Sequence, residues 1–106
     1  MLVKKSIERE WAATGHAGIE RSLFRTNDTG GRSSVVRLAV GARFPRHRHE
    51  GTEEVVVLAG VVEIGGVRLE AGDYLFTEPG EEHGVMAIAD AVIFVSSLRA
   101  TPIIED

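Results

Sequence analysis

From residue 34 onward the chain alternates apolar and polar positions in short runs divided by glycine, and no helical stripe of convincing length appears. Residues 34–40 place Val36, Leu38 and Val40 at one parity and Arg37 at the other, the period of two of a half-buried strand. Residues 54–59 are a run of valine and leucine, apolar at both parities, as expected of a strand held between two layers. Residues 61–64 and 67–70 flank Gly65-Gly66, and this predicts a hairpin because two glycines supply the positive φ that a two-residue type I′ turn demands. Residues 74–77, 85–88 and 91–98 read as further strands, and an earlier one lies around Leu23-Phe24. Asn27-Asp28-Thr29-Gly30-Gly31, Ala71-Gly72-Asp73 and Glu78-Pro79-Gly80-Glu81-Glu82 are the turns between them. Residues 7–13 are expected to form a turn or two of helix capped by Ser6 and ended by Gly15 and Gly18. Eight or so short strands with glycine-rich turns predict an all-β fold, a sandwich or small barrel. The tail, residues 101–106, has no evident place in its core.

Length and charge narrow the picture. The 106 residues suit one domain with a single core. The barrel core is expected over about residues 35–98, with residues 1–33 partly strand or an arm for dimerisation. A net charge of −4 gives no global basic field for nucleic acid or an anionic membrane, and neither partner is expected. The absence of cysteine excludes disulfides and thiolate chemistry, so any metal site must use nitrogen and oxygen ligands. The longest apolar stretch, residues 85–95, is interrupted by Asp90 and is shorter than the ~18 residues of a membrane span. Residues 1–10 carry acidic groups and do not resemble a signal peptide, so a cytoplasmic location is expected.

The chemistry is concentrated in the histidines. Three of four fall in one window: Gly41, five residues, His47-Arg48-His49, three residues, Glu53, six residues, Gly60, then Gly72 and Gly80-Glu81-Glu82-His83. On a strand, His47 and His49 point to one face and can reach one ion. Glu53 shares parity with Val55 and Val57, so it enters the interior with them, where a carboxylate calls for a cationic partner. His83 can join only through tertiary folding. The expected set is three neutral imidazoles and one carboxylate with one or two positions open, suited to Zn, Fe, Mn, Ni, Co or Cu. Glu54 and Glu50 are rival carboxylates, Glu54 being placed on the opposite face from Val55. His16, in a glycine-flanked loop, reads as solvent-exposed. Arg46 and Arg48 alternate with the histidines and should point away from the ion; together with Arg43 they are otherwise candidates to hold an anionic substrate.

These residues resemble the two signatures of the cupin superfamily. The first is matched without a gap. The second is matched in part, by Gly72, Gly80 and His83, with Glu78 where a proline is usual and Ala87 where an asparagine is usual. The resemblance implies a cupin jelly-roll barrel of six to eight antiparallel strands with a metal inside. It makes His47, His49, Glu53 and His83 the ligands and Gly41, Gly60, Gly72 and Gly80 turn glycines. Residues 36–60, with Gly72-Asp73-Tyr74, are similar to the cupin half of ChrR-type anti-sigma factors, which binds zinc and responds to oxidative signals. Only some thirty residues precede the expected barrel, so a sigma-factor partner is not implied. Two functions follow as expectations: dioxygenase-type chemistry on a small chelating molecule such as a dicarbonyl or a phenol, and a non-catalytic zinc-binding sensor or regulatory module. Small cupins commonly pair by exchanging N-terminal strands, and the apolar Leu2, Val3, Ile7 and Trp11 point to a homodimer.

Overall fold

Ten strands, alternating inward and outward side chains, lie in two antiparallel sheets in the computed structural model, which describes residues 1–100 and 102–103. They are β1 (Ala12–Ala13), β2 (Ile19–Thr26), β3 (Gly30–Leu38), β4 (Arg43–Arg48), β5 (Glu53–Ala59), β6 (Val61–Ile64), β7 (Val67–Glu70), β8 (Tyr74–Thr77), β9 (Glu82–Ala87) and β10 (Ala91–Arg99). One sheet has the order β1-β2-β3-β10-β5-β8 and the other β4-β9-β6-β7. The fold is a cupin β-sandwich, with the core between the inner faces: Val36, Leu38, Val55, Val57 and Ile93 from the larger sheet, Val62, Ile64, Leu69 and Ala87 from the smaller.

The turns obey the local chemistry. Gly65 and Gly66 adopt φ of 58° and 81°, closing the β6–β7 hairpin with Ile64 opposite Val67. Gly60 combines a φ of 77° with a close approach: a Cβ there would stand 2.0 Å from the Asp90 carbonyl oxygen, so only glycine fits between β5 and the start of β10. The Asn27 side chain accepts from the backbone N–H of Thr29 (3.0 Å) and Gly31 (2.8 Å), fixing the β2–β3 turn.

Three local expectations need correction. Residues 6–8 form a single 3-10 turn rather than an α-helix; Ser6 does not cap it, since the turn is entered from an extended Lys5 without a side-chain hydrogen bond. Val40 lies beyond the end of β3 and is 64% exposed, while Val35 and Val36 are both buried. Val35 faces outward, and the N-terminal segment lies on that side of β2 and β3, where the Arg37 guanidinium stands 4.2 Å from the centre of the Trp11 ring. The valine-rich β5 is covered well on one face only: Val55 and Val57 are buried, but Leu58 is 48% exposed. An apolar outer face therefore mimics the pattern of a central strand. No helix among the described residues is long and apolar enough to cross a membrane.

Candidate metal centre

β4 carries His47, and His49 follows just after its last residue. Arg43 pairs with Met86 and Phe44 with Val85, but His47 pairs with His83, so Pro45 and Arg46 together oppose the single residue Gly84. Proline lacks an N–H to lose, and a Cβ on Gly84 would stand 3.0 Å from the Phe44 carbonyl oxygen, so both residue types suit this bulge. The bulge turns the Pro45 carbonyl toward the His47 ring, 3.0 Å from Nδ1. A carbonyl can only accept, so Nδ1 carries the proton and Nε2 is left as a bare donor.

His49 is oriented in the same manner. Its Nδ1 lies 3.1 Å from the Glu81 carbonyl, which also accepts the His49 backbone N–H at 3.0 Å. The Gly80 N–H donates back to the His49 carbonyl at 2.8 Å, so the Pro79-Gly80 loop is clamped onto the residue that it orients. Backbone carbonyls that fix the tautomer and ring angle of a histidine are the usual outer partners of metal-ligating imidazoles.

Glu53, the first residue of β5, is buried. Its Oε1 lies 3.0 Å from His49 Nε2, and its Oε2 accepts from the Ser97 hydroxyl at 2.9 Å. His83, on β9, is cross-strand from His47, with ring centres 5.0 Å apart, and lies 4.4 Å from the His49 ring. One donor atom from each of His47, His49, Glu53 and His83 can be chosen so that all lie within 4.8 Å of one another. Ligand bonds of about 2.1 Å allow donors sharing one ion to stand up to about 4.2 Å apart, so small side-chain rotations suffice to close the group. His83 Nδ1 is buried without a hydrogen-bond partner among the described residues, while Nε2 lies 3.3 Å from the Thr77 hydroxyl. An orphaned imidazole nitrogen beside a buried carboxylate and two tautomer-fixed histidines fits a divalent transition ion.

The electrostatics agree. Burial pushes His83 down to about 4, helped by the neighbouring His49 and His47. Burial also lowers His47, against the Pro45 hydrogen bond. Burial works to lower His49 too, but the hydrogen bond and charge of Glu53 outweigh it, and His49 is raised. Glu53, which burial alone would raise, is held below its usual range by His49 and Ser97. Two histidines therefore stay neutral, and the third shares a proton with the carboxylate.

The rivals fall elsewhere. Glu54 is on the outer face, accepting from the Tyr74 hydroxyl at 2.9 Å, and Glu50 is exposed in the turn before β5. Arg46 and Arg48 are exposed and face Glu82, Arg48 at 3.1 Å and Arg46 at 4.0 Å. His16 corrects its expectation: it is half-buried, edge-on to Phe44 with ring centres 4.6 Å apart, and Phe44 in turn meets His47 at 5.1 Å. It lines a cavity of about 380 Å³ that opens beside His47, Glu53 and His83 and is walled by Val36, Val85 and Val95. Sequence alone did not point to Ser97, Arg21 and His16 at this cavity, nor to Thr77 beside His83. The inward parity of Ser97 with Val95 and Ile93 was the one available signal.

A sandwich that gathers three histidines and a glutamate beside an internal cavity defines the class as cupin. The chain belongs to the ChrR cupin-like domain family, whose model matches residues 1–101. No curated relative matches the sequence. Among solved structures, an acetylacetone dioxygenase from Acinetobacter johnsonii is 18% identical with a TM-score of 0.85, over 100% of this chain and 78% of its own. An RmlC-like cupin protein from Ralstonia eutropha is 17% identical with a TM-score of 0.85, over 96% of this chain and 71% of its own. The complex of SigE with the anti-sigma ChrR from Rhodobacter sphaeroides gives 22% identity and a TM-score of 0.76, over 88% of this chain but half of that one. These likenesses establish the fold.

Proposed function

We propose that His47, His49, Glu53 and His83 hold one divalent transition ion, and that the protein uses it for dioxygenase-type chemistry on a small chelating molecule seated in the adjoining cavity. The observation that carries this reading is the convergence of four donors within 4.8 Å at the wall of a 380 Å³ cavity, a size suited to small-molecule sites. A bound redox ion would supply Lewis acidity and a site for oxygen. The chain's own residues do the rest. Pro45 and Glu81 fix two imidazoles, Ser97 aims Glu53, and Phe44, Ile64, Val85 and Val95 give the cavity an apolar wall. The structural likeness to an acetylacetone dioxygenase makes a 1,3-diketone the first substrate to try. Iron-loaded protein should consume oxygen with such a diketone, and His83→Ala should abolish uptake. Iron bound in one-to-one ratio without any uptake across diketones and phenols would refute the enzymatic reading.

The family match favours a second reading, a zinc-binding regulatory module without turnover. Stoichiometric zinc in protein purified without added metal, inert toward oxygen, would support it. A homodimer belongs to the same proposal: Leu2, Val3 and Ile7 are exposed, an apolar arm suited to a second copy. A monomer by light scattering at micromolar concentration would end that part.

A further inference from the structure

The cavity is charged unevenly. Among its described lining residues Glu53 is the only carboxylate, and it shares the cavity with three arginines, Arg21, Arg32 and Arg99. All three arginines come from the larger sheet. Glu53 pairs with Ser97 on β10, and Ser97 pairs with Arg32 on β3, so Arg32 starts two strands from β5, about 10 Å across the sheet. Arg21, on β2, is partly buried, and its Nε donates to the Ser34 hydroxyl at 3.2 Å. Arg32 and Arg99 are exposed, near the mouth. None of the three forms an ion pair within 4 Å among the described residues. Burial and then the charge of Arg32 lower the pKa of Arg21, with Glu53 acting the other way. A guanidinium stays charged regardless, so among the described lining residues three cations share the cavity with one carboxylate. A divalent ion on the histidines would deepen the imbalance.

We infer that the arginine end of this cavity binds the carboxylate of an anionic small molecule whose other end reaches the His/Glu group. The inference rests on the proposed metal site for its orientation and narrows the substrate class to a chelating compound with a carboxylate a short chain away. Arg21 is the inner contact: its Nε is held by Ser34, so its remaining N–H groups present a fixed fork, the geometry that carboxylates accept in pairs. The arginines flanking the histidines take no part, because Arg46 and Arg48 face Glu82 outside.

Two diketones of equal carbon count test this on the metal-loaded full chain by calorimetry: 4,6-dioxoheptanoate, which carries the tail carboxylate, and heptane-2,4-dione, which does not. The anion should bind ~10-fold or more tightly, the scale of a charge-assisted hydrogen bond. Arg21→Gln should remove that preference while leaving metal content and neutral diketone binding unchanged, and Arg21→Lys should restore part of it. Equal binding of the two probes to the parent protein, or equal weakening of both by Arg21→Gln, overturns the inference and leaves Arg21 a structural residue. If Arg21→Gln fails to fold, Arg32→Gln takes its place with a smaller expected loss of preference. If the protein retains no metal, the proposed function fails separately. Pentanoate binding to the metal-free chain then decides: saturable, Arg21-dependent binding sustains the arginine site, and its absence overturns it.

Discussion

His49 Nε2 and Glu53 Oε1 stand 3.0 Å apart in the buried interior, although one residue precedes the turn into β5 and the other opens that strand. The same carboxylate can therefore neutralise either a proton on His49 or a metal ion beside it. Binding an ion must displace that proton.

This pair sets the first prediction. In metal-free Glu53→Gln protein the hydrogen bond to a carboxylate and its charge are gone, and only the Glu81 carbonyl and the Glu81 charge are left to oppose the burial that lowers His49. Its titration midpoint, followed by NMR of the imidazole Cε1–H, should fall. An unchanged midpoint would show that the two groups are uncoupled.

Metal-free stability should decline on acidification. His83 and His47 have folded pKa values below 6.5, so folding favours their neutral forms. Their contribution is full above pH 6.5 and is lost toward and below about 4, the value for His83. Glu53 acts in the same sense, losing its contribution as pH falls below 4.5 through its folded value. His49 opposes them: its raised pKa adds stability below 6.5 that is lost as pH rises through the folded value. The melting temperature should thus drop between pH 6.5 and 4, and His83→Asn should reduce the stability lost over that range by on the order of 1–3 kcal/mol, the partial exposure of His83 discounted.

Metal retention should follow protonation. Ligation needs neutral imidazoles, and His49 protonates first, so bound metal should be released below about pH 5–6. Elemental analysis after dialysis at graded pH measures this; complete retention at pH 4 argues against histidine ligation.

Outer partners should matter less than ligands. Ser97→Ala removes the hydroxyl that aims Glu53 and should weaken metal affinity roughly 10-fold, while His47→Ala should cost more than the ~100-fold upper range for an outer partner. Competition with a chelator reads both.

Gly60→Ala should destabilise by about 2–4 kcal/mol, because its φ of 77° disfavours a side chain and its Cβ would collide with the Asp90 carbonyl. Denaturant midpoints of the two proteins give the difference.

The strands were legible because alternation and glycine turns are local: the hairpin at Gly65-Gly66 and the inward parity of Glu53, Val55 and Val57 follow from side-chain period alone. The His47-x-His49 spacing was legible for the same reason. What escaped depends on long-range pairing. Arg21 enters the cavity because β2 pairs with β3, and Ser97 reaches Glu53 because β10 lies beside β5; neither neighbour is written in the local sequence. His16 does lie in a loop, but its partial burial escaped because the Phe44 that shelters it is distant in sequence. Leu58 misled because the outer face of β5 is apolar without being covered.

The bridge between Ile103 and His47, with the Arg48 N–H donating to the Pro102 carbonyl at 3.1 Å, has a bearing on how this molecule meets others. β4 is the outermost strand of its sheet, carries the candidate ligand His47 and leads directly into His49, so its unpaired edge would be a natural template for a foreign strand. The protein's own downstream chain already occupies that place and sets Ile103 in the cavity wall. An invading segment would have to peel it away, unroofing the histidines as it did so.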